Sequence, residues 1–435
     1  MAHAAPPRHP WGTDERRDEL DPPRGLRDGE HVEVAMNAVE PGALSGAGLS
    51  EQWRAYVDAH ATRGVLLRMM ARLAPTRLRP LAVVRRPPVS PTRRIRASVI
   101  VPCHNYGHYL EEAVNSVLSQ EGVEVEVIIV DDVSTDDSLA VARELAVTHP
   151  EVRVIINEHN VGHVRSFNAG WATATGDVIV KLDADDLLAP GSLARAAALF
   201  EQRPDVGLVY GYPRHFEHPA VPKGSVGDTA WTIWRGQDWF AERCKHGTSV
   251  ITTPEMALRA SLLREHGALD PDLRYTPDLG ISLRLATVSN VGHIDNADQA
   301  FHREHSASMS VNEGAGEVVD LEARRDAFDR VFSSPNVKIA NADGLRGTVR
   351  RALALDAMRD AASLADRPES SARTDGLEEF ARATWPDSAY PKSWDTLRVG
   401  RKRLGPISRI GGLARRVARR VRNESYYVRW VVKGF

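Results

Sequence analysis

The sequence predicts an α/β fold built on one mostly parallel sheet with helices on its faces. Three observations carry this. Short β-branched runs recur between residues 97 and 182, each of the first three is followed by a segment of helical periodicity, and polar clusters stand directly behind three of the runs. Ala97-Ser98-Val99-Ile100-Val101 has the composition of a strand buried on both faces. Over Tyr109–Gln120 the residues Leu110, Ala113, Val114, Val117 and Leu118 share one helical face. Val123–Val130 reads as a second strand and Asp137–Thr148 as a second helix, introduced by Ser134-Thr135-Asp136, residue types that cap helices. Val152–Ile156, Arg165–Ala174 and Asp177–Leu182 supply a third strand, a third helix and a fourth strand. Strand and helix alternating at this spacing call for right-handed crossovers on a parallel sheet.

Around this core the chain divides by composition. Residues 1–95 form an extension. The first thirty are polar and rich in Pro, Arg and Asp, a composition of disorder. A helix is expected over Ser50–Leu73, where Trp53, Tyr56, Val57, Ala61, Val65, Leu66 and Met69 recur at helical spacing. Arg85–Arg94, with three prolines and no apolar period, reads as a linker. The sheet domain spans 96–312, a helical, alanine-rich region 313–397, and a basic tail 398–435.

A formal net charge of −2 on 435 residues gives no reason to expect a nucleic-acid partner. Cys103 and Cys244 are the only cysteines and have no metal-ligand spacing, which excludes a disulfide framework and suits a reducing cytosol. The start has no basic segment followed by an apolar stretch, so it is no secretory signal. No run approaches the roughly 18 apolar residues of a membrane span. A cytoplasmic protein is expected, at most peripheral to a membrane.

In open α/β sheets ligands bind beyond the carboxyl ends of the strands. There the chain carries Pro102-Cys103-His104-Asn105-Tyr106, Asp131-Asp132-Val133-Ser134-Thr135-Asp136-Asp137 and Asp183-Ala184-Asp185-Asp186. The second cluster, read alone, is made of turn and capping residues. The third puts like charges a few ångströms apart, which destabilises a fold unless something positive compensates. A hard divalent cation with oxygen ligands, Mg²⁺ or Mn²⁺, is the usual compensation.

Ser98–Asn105, Val130–Asp136 and Leu182–Asp186, linked by Asn160-x-Gly162, Asn168-x-Gly170 and Ala174-x-Gly176-Asp177, resemble the three landmarks of family 2 glycosyltransferases over about half of the chain. The resemblance implies a GT-A type, Rossmann-like sheet and transfer of a sugar from a nucleotide-diphosphate donor to an acceptor hydroxyl with inversion. It implies a donor site of Pro102, His104, Asn105, Asp132 and Asp183, with His104 stacking on the nucleobase and Asp132 accepting from it. It places Mn²⁺ or Mg²⁺ on Asp185, Asp183 and His305, and leans towards a UDP-sugar. Phe167 stands where many members carry Arg, with Arg165 nearby.

Inverting transfer requires a base for the acceptor hydroxyl. Asp278, ahead of Leu279, Ile281, Leu283 and Leu285, reads by itself as a carboxylate at a helix N-terminus. The family resemblance makes it the general base, although Pro277 replaces the acid that usually precedes it. His305, and less directly His302, fall in a stretch resembling the family's Tyr-Arg-x-His. A lone histidine can equally be a satisfied polar side chain. Trp231, Trp234, Trp239 and Phe240 suit a sugar face or a core, and core is the simpler expectation.

Arg398–Phe435 holds twelve Lys and Arg against Glu424 alone. From Leu413 a basic amphipathic helix fits the surface of an anionic membrane, or a solvated face packed on the domain; nucleic acid is not expected. Two other functions compete with sugar transfer. A nucleotidyltransferase would need a Gly-rich basic loop after the first strand, which is missing. A catalytically silent relative has no use for Asp132, Asp183, Asp185 and Asp278 together.

Overall fold

The computed structural model describes residues 78–217, 221–305, 317–364 and 371–385. Its strands are β1 (Ala82–Arg85), β2 (Arg96–Cys103), β3 (Glu124–Asp131), β4 (Val152–Ile156), β5 (Val178–Lys181), the two-residue β6 (Leu187–Leu188), β7 (Val206–Glu217), β8 (Val226–Trp234), β9 (Ala257–Arg259) and β10 (Asn290–Glu304). They form a ten-stranded sheet of order β1-β8-β10-β7-β9-β5-β2-β3-β4, with β6 on β10. β5, β2, β3 and β4 are mutually parallel, as expected. β9 enters antiparallel between β5 and β7, and β7 resumes the parallel direction with β10. β8 runs antiparallel to β10, and β1 closes that edge.

Period-two alternation divides the central strands between two cores. Val99, Val101, Val127 and Ile129 face one, under α1 (Gly107–Leu118), α2 (Ser138–Thr148) and α4 (Ser192–Gln202). Ile100, Ile128, Val130 and Ile179 face the other, under α3 (His163–Trp171), α5 (Gly236–His246), α6 (Ala260–His266) and α7 (Pro277–Val288). Helix α3 lies close on β2 because Gly170 has no side chain; a Cβ there would stand 2.5 Å from Ile100 Cγ2. Burial on both faces explains why these strands read as continuous apolar runs.

The alanine-rich region forms α8 (Glu317–Ser333), α9 (Ala342–Leu364) and α10 (Ser371–Thr384). Their Leu321, Phe328, Leu353, Leu377 and Phe380 join Trp239 and Phe240 in the second core. Trp231, Trp234, Trp239 and Phe240 are all buried, so this aromatic run is core. Upstream of residue 96, β1 is a strand that local periodicity does not announce, and Glu201 on α4 accepts from the Thr92 and Arg93 amides. The helix expected over Ser50–Leu73 and the basic tail from Arg398 lie outside the described residues.

After β2 the chain adds β3 and β4 on one side, then returns to place β5 on the other. That reversal opens a crevice beyond the carboxyl ends of β2 and β5, where ligands of open α/β sheets bind.

Candidate active site

The first wall of the crevice is built by loops after β2, β3 and β4. His104 is exposed, and its Nδ1 lies 2.8 Å from the Asp132 carbonyl oxygen. Asn160 Nδ2 stands 3.3 Å from the same ring, which fixes the imidazole plane at the rim. Asn105 takes a left-handed φ of 62° and turns its Oδ1 to the Thr135 amide at 2.7 Å. Asp132 is buried. Its Oδ1 accepts from Asn157 Nδ2 at 2.7 Å and the Val161 amide at 2.9 Å, and its Oδ2 from the Gly162 amide at 2.7 Å. Asp132 therefore holds the β4–α3 loop, and Gly162 (φ 82°) is needed where that loop turns into α3. Pro102 is buried in β2 opposite Val130. Phe167 sits in the second core, and Arg165 is exposed.

The acidic end of β5 forms the floor. The buried Lys181 ammonium makes an ion pair with Asp183 Oδ1. Burial alone would raise the Asp183 carboxyl, but the Lys181 ammonium above all, with His302 adding, holds it below its usual range. Asp185 Oδ2 lies 2.9 Å from His305 Nε2, so strand β10 brings a ligand-type nitrogen to the second aspartate. Asp186 is buried and turned the other way, accepting from the Arg303 amide at 2.8 Å and lying 3.0 Å from His302 Nδ1. The Arg303 guanidinium donates to the Asp185 carbonyl oxygen at 2.7 Å and packs between the Tyr109 and Phe216 rings. Tyr106 and Tyr109 place their rings 5.8 and 5.6 Å from that of His305.

Asp278 stands in the first turn of α7, half-buried. Burial, helped by the nearby Glu255 carboxyl, pushes it up to about 7, against the helix amides of Leu279 and Asp278 and the Lys181 ammonium. Glu255 is buried and raised by that burial, with the Thr252 amide and hydroxyl donating to its two oxygens at 2.6 and 2.7 Å. The approach to α7 is fixed by Asn168, whose amide bonds both Leu269 N and O, and by Arg284, which donates to Gly267 O at 3.0 Å.

The structure thus brings Asp185 and His305 together and pairs Asp183 with Lys181, whose charge also lowers Asp278. It engages Asp132 and Asn105 in loop bonds. Lys181 and the Asp186–His302 pair escape a reading of the sequence, whereas Pro254-Glu255 resembles the family's acceptor-side segment without a role that the residues fix. A lysine ending a strand carries no local mark, and the pairing of Asp186 with His302 spans 116 positions.

A doubly wound sheet whose switch point is lined by carboxylates in this order defines a glycosyltransferase of the GT-A type. Residues 98–267 match glycosyl transferase family 2, and the chain belongs to that family. An uncharacterized protein of Mycobacterium tuberculosis is 37% identical over 244 residues, covering 54% of this chain and 72% of that one. An uncharacterized glycosyltransferase of Nostoc sp. is 41% identical over 116 residues, 27% of this chain, which spans only 36% of that relative's length. A chondroitin synthase of Pasteurella multocida is 32% identical over 142 residues, 33% of this chain and 14% of the synthase. Among solved structures, S. aureus TarS in complex with UDP-GlcNAc aligns with TM-score 0.48 at 17% identity, over 78% of this chain and 91% of that one. The mannosyltransferase PcManGT of Pyrobaculum calidifontis, in complex with GDP-Man and Mn2+, aligns with TM-score 0.46 at 19% identity, over 85% and 96%.

Among the described residues, no helix is long and apolar enough to cross a membrane. Cys103 and Cys244 are buried free thiols.

Proposed function

We propose that this chain transfers a sugar from a nucleoside-diphosphate sugar to an acceptor hydroxyl in one displacement, inverting the anomeric carbon. The observation that carries this reading is Asp278: a half-buried carboxyl held up to about 7 and sharing the Lys181 ammonium with the acidic end of β5. A base with that affinity for protons is matched to a hydroxyl attacking near neutral pH. The acceptor oxygen forms its bond to the anomeric carbon as Asp278 takes its proton. The bond from that carbon to the donor's terminal phosphate oxygen breaks, and its electron pair leaves with the nucleoside diphosphate. A single base and a single displacement account for inversion.

On the donor side, the exposed His104 imidazole offers a stacking face for a nucleobase, beside Pro102, Asn105 and the Asp132 loop. Asp183, kept ionised by Lys181, can accept from donor hydroxyls. The residues at the end of β5 also fit a divalent ion. Asp185 Oδ2 and His305 Nε2 converge to 2.9 Å, a carboxylate and an imidazole that suit Mn²⁺, with Mg²⁺ the harder alternative. Asp185 and His305 would hold it, with Asp183 adjacent and already bonded to Lys181 through Oδ1. Among the described residues no three such side chains come together as a metal-holding group, so Asp185 and His305 would hold the ion as a pair. Bound there, the ion supplies positive charge where the diphosphate departs.

A UDP-sugar is the favoured donor and a saccharide the favoured acceptor, in keeping with the synthase-named relative. The basic tail is proposed to hold the domain against an anionic membrane surface. The decisive experiment incubates the protein with UDP-, GDP- and dTDP-sugars, with MnCl₂ or with EDTA, following melting temperature and nucleotide release. At least one sugar nucleotide should stabilise the protein and be consumed, more so with Mn²⁺. A protein that neither binds nor consumes any of them would sink the proposal.

A further inference from the structure

Between Asp58 and Glu111 the chain carries ten arginines and no acidic residue, although its formal net charge is only −2. The described part of this stretch starts at Leu78 and forms a fixed surface at one edge of the sheet. β1 is bonded along one side to β8; the Leu81 amide donates to the Ile233 carbonyl at 2.7 Å and the Arg86 amide to that of Thr229 at 3.2 Å. Period-two alternation turns Ala82 and Val84 onto the core beneath α1, α2 and α4, and leaves Leu81, Val83 and Arg85 outside. Leu81 and Val83 are 44% and 52% exposed. Arg79, Arg85 and Arg86, all exposed, flank this apolar pair. Further along, Arg93 pairs with Glu201, and Arg94 and Arg96 with Glu124. Among the described residues Arg79, Arg85 and Arg86 have no acidic partner. The edge thus shows two large apolar side chains between three uncompensated cations.

We propose that the outer face of β1 docks on an anionic lipid bilayer, with Leu81 and Val83 entering the headgroup region and Arg79, Arg85 and Arg86 meeting lipid phosphates. The partner that fits such a strip is anionic at its surface and apolar beneath. A nucleic acid offers phosphates, but its bases stack on aromatic rings, and residues 78–96 hold none. A second copy of the chain would bring the same arginines against one another. One weak contact holds a protein to a bilayer only marginally, and two together hold it firmly. The β1 face supplies the second contact beside the basic tail, and is too weak without it. This inference rests on the membrane-surface part of the reading above.

Cosedimentation of the full chain with vesicles containing phosphatidylserine tests it, with phosphatidylcholine vesicles and a DNA duplex as controls. Leu81→Ser combined with Val83→Ser should lower partitioning about tenfold or more. Arg79→Gln combined with Arg85→Gln should lower it about twentyfold at about 0.1 M salt, because each arginine near the surface contributes about fivefold. All four positions are exposed, so melting temperatures should stay within about 2 °C of the wild type. If the serine pair lacks a cooperative melt, Leu81→Gln with Val83→Thr takes its place. Either pair of substitutions that keeps wild-type partitioning overturns the proposal. If the serine pair is without effect while the arginine pair weakens duplex binding, the surface belongs to nucleic acid. Loss of sedimentation on removing the tail, with none from the β1 substitutions, overturns this inference alone. A full chain that ignores the anionic vesicles overturns the tail proposal as well.

Discussion

Asp278→Asn separates catalysis from stability in one variant. The carboxyl is raised from 3.8 to about 7, chiefly by burial. A shift of that size costs the ionised folded protein about 4 kcal/mol if nothing screens it. Solvent reaches this half-buried group, so about 2 kcal/mol is the working figure. The sign follows from linkage. The folded value lies above the unfolded one, so the native state holds the extra proton between about pH 4 and 7 and stability falls as pH rises through that window. Asparagine carries no such charge. The variant should match the wild type near pH 4 and exceed it by about 2 kcal/mol at about pH 8, a rise of roughly 4 °C in melting temperature for a domain of this size. Its turnover should fall about 100- to 10,000-fold, the usual contribution of a general base, while donor affinity stays within about twofold. In the wild type, turnover should climb with pH through about 7 as the base ionises. Turnover and thermal melts, each followed from about pH 4 to 8, test both halves. Wild-type turnover in the variant would refute the base assignment. A stability difference that stays flat across that range would refute the burial argument.

Three further outcomes follow from the same geometry. Asp185→Ala and His305→Ala should each remove the Mn²⁺-dependent part of donor binding, read by calorimetry with and without EDTA; unchanged Mn²⁺ dependence would move the ion elsewhere. Asp132→Ala removes an acceptor of three donors, two of them loop amides, and should cost about 2–4 kcal/mol in denaturant unfolding. A loss below about 0.5 kcal/mol would mean that the β4–α3 loop does not depend on it. Removing residues 398–435 should abolish cosedimentation with vesicles containing phosphatidylserine and leave binding to neutral vesicles unchanged; retained binding to the anionic vesicles would end the membrane proposal.

Much of the architecture was written in short segments. The strands β2 to β5 and the helices between them are legible because each buries both faces or one stripe, and that demand shows within ten residues. The Asp183–Asp186 run was legible because clustered like charges require compensation wherever they occur. Local sequence is silent about β1, about β9 running antiparallel into the sheet centre, and about β7 and β10 pairing. Those contacts join residues far apart in the chain, and no local propensity encodes a partner.

The same division runs through the site. The residues themselves named Asp183 and Asp185 as a cluster that needs a cation, and the family resemblance added Asp278 and His305. Only the fold decided that His305 meets Asp185 and that Lys181 neutralises Asp183. Only the fold could bury Asp278 beside Glu255, raising a carboxyl that is ordinary in an unfolded chain to about 7. It likewise turned Asp132 towards a loop and Asp186 towards His302. A residue's type is local, but its proton affinity and its partners depend on the dielectric and charges that other segments bring to it.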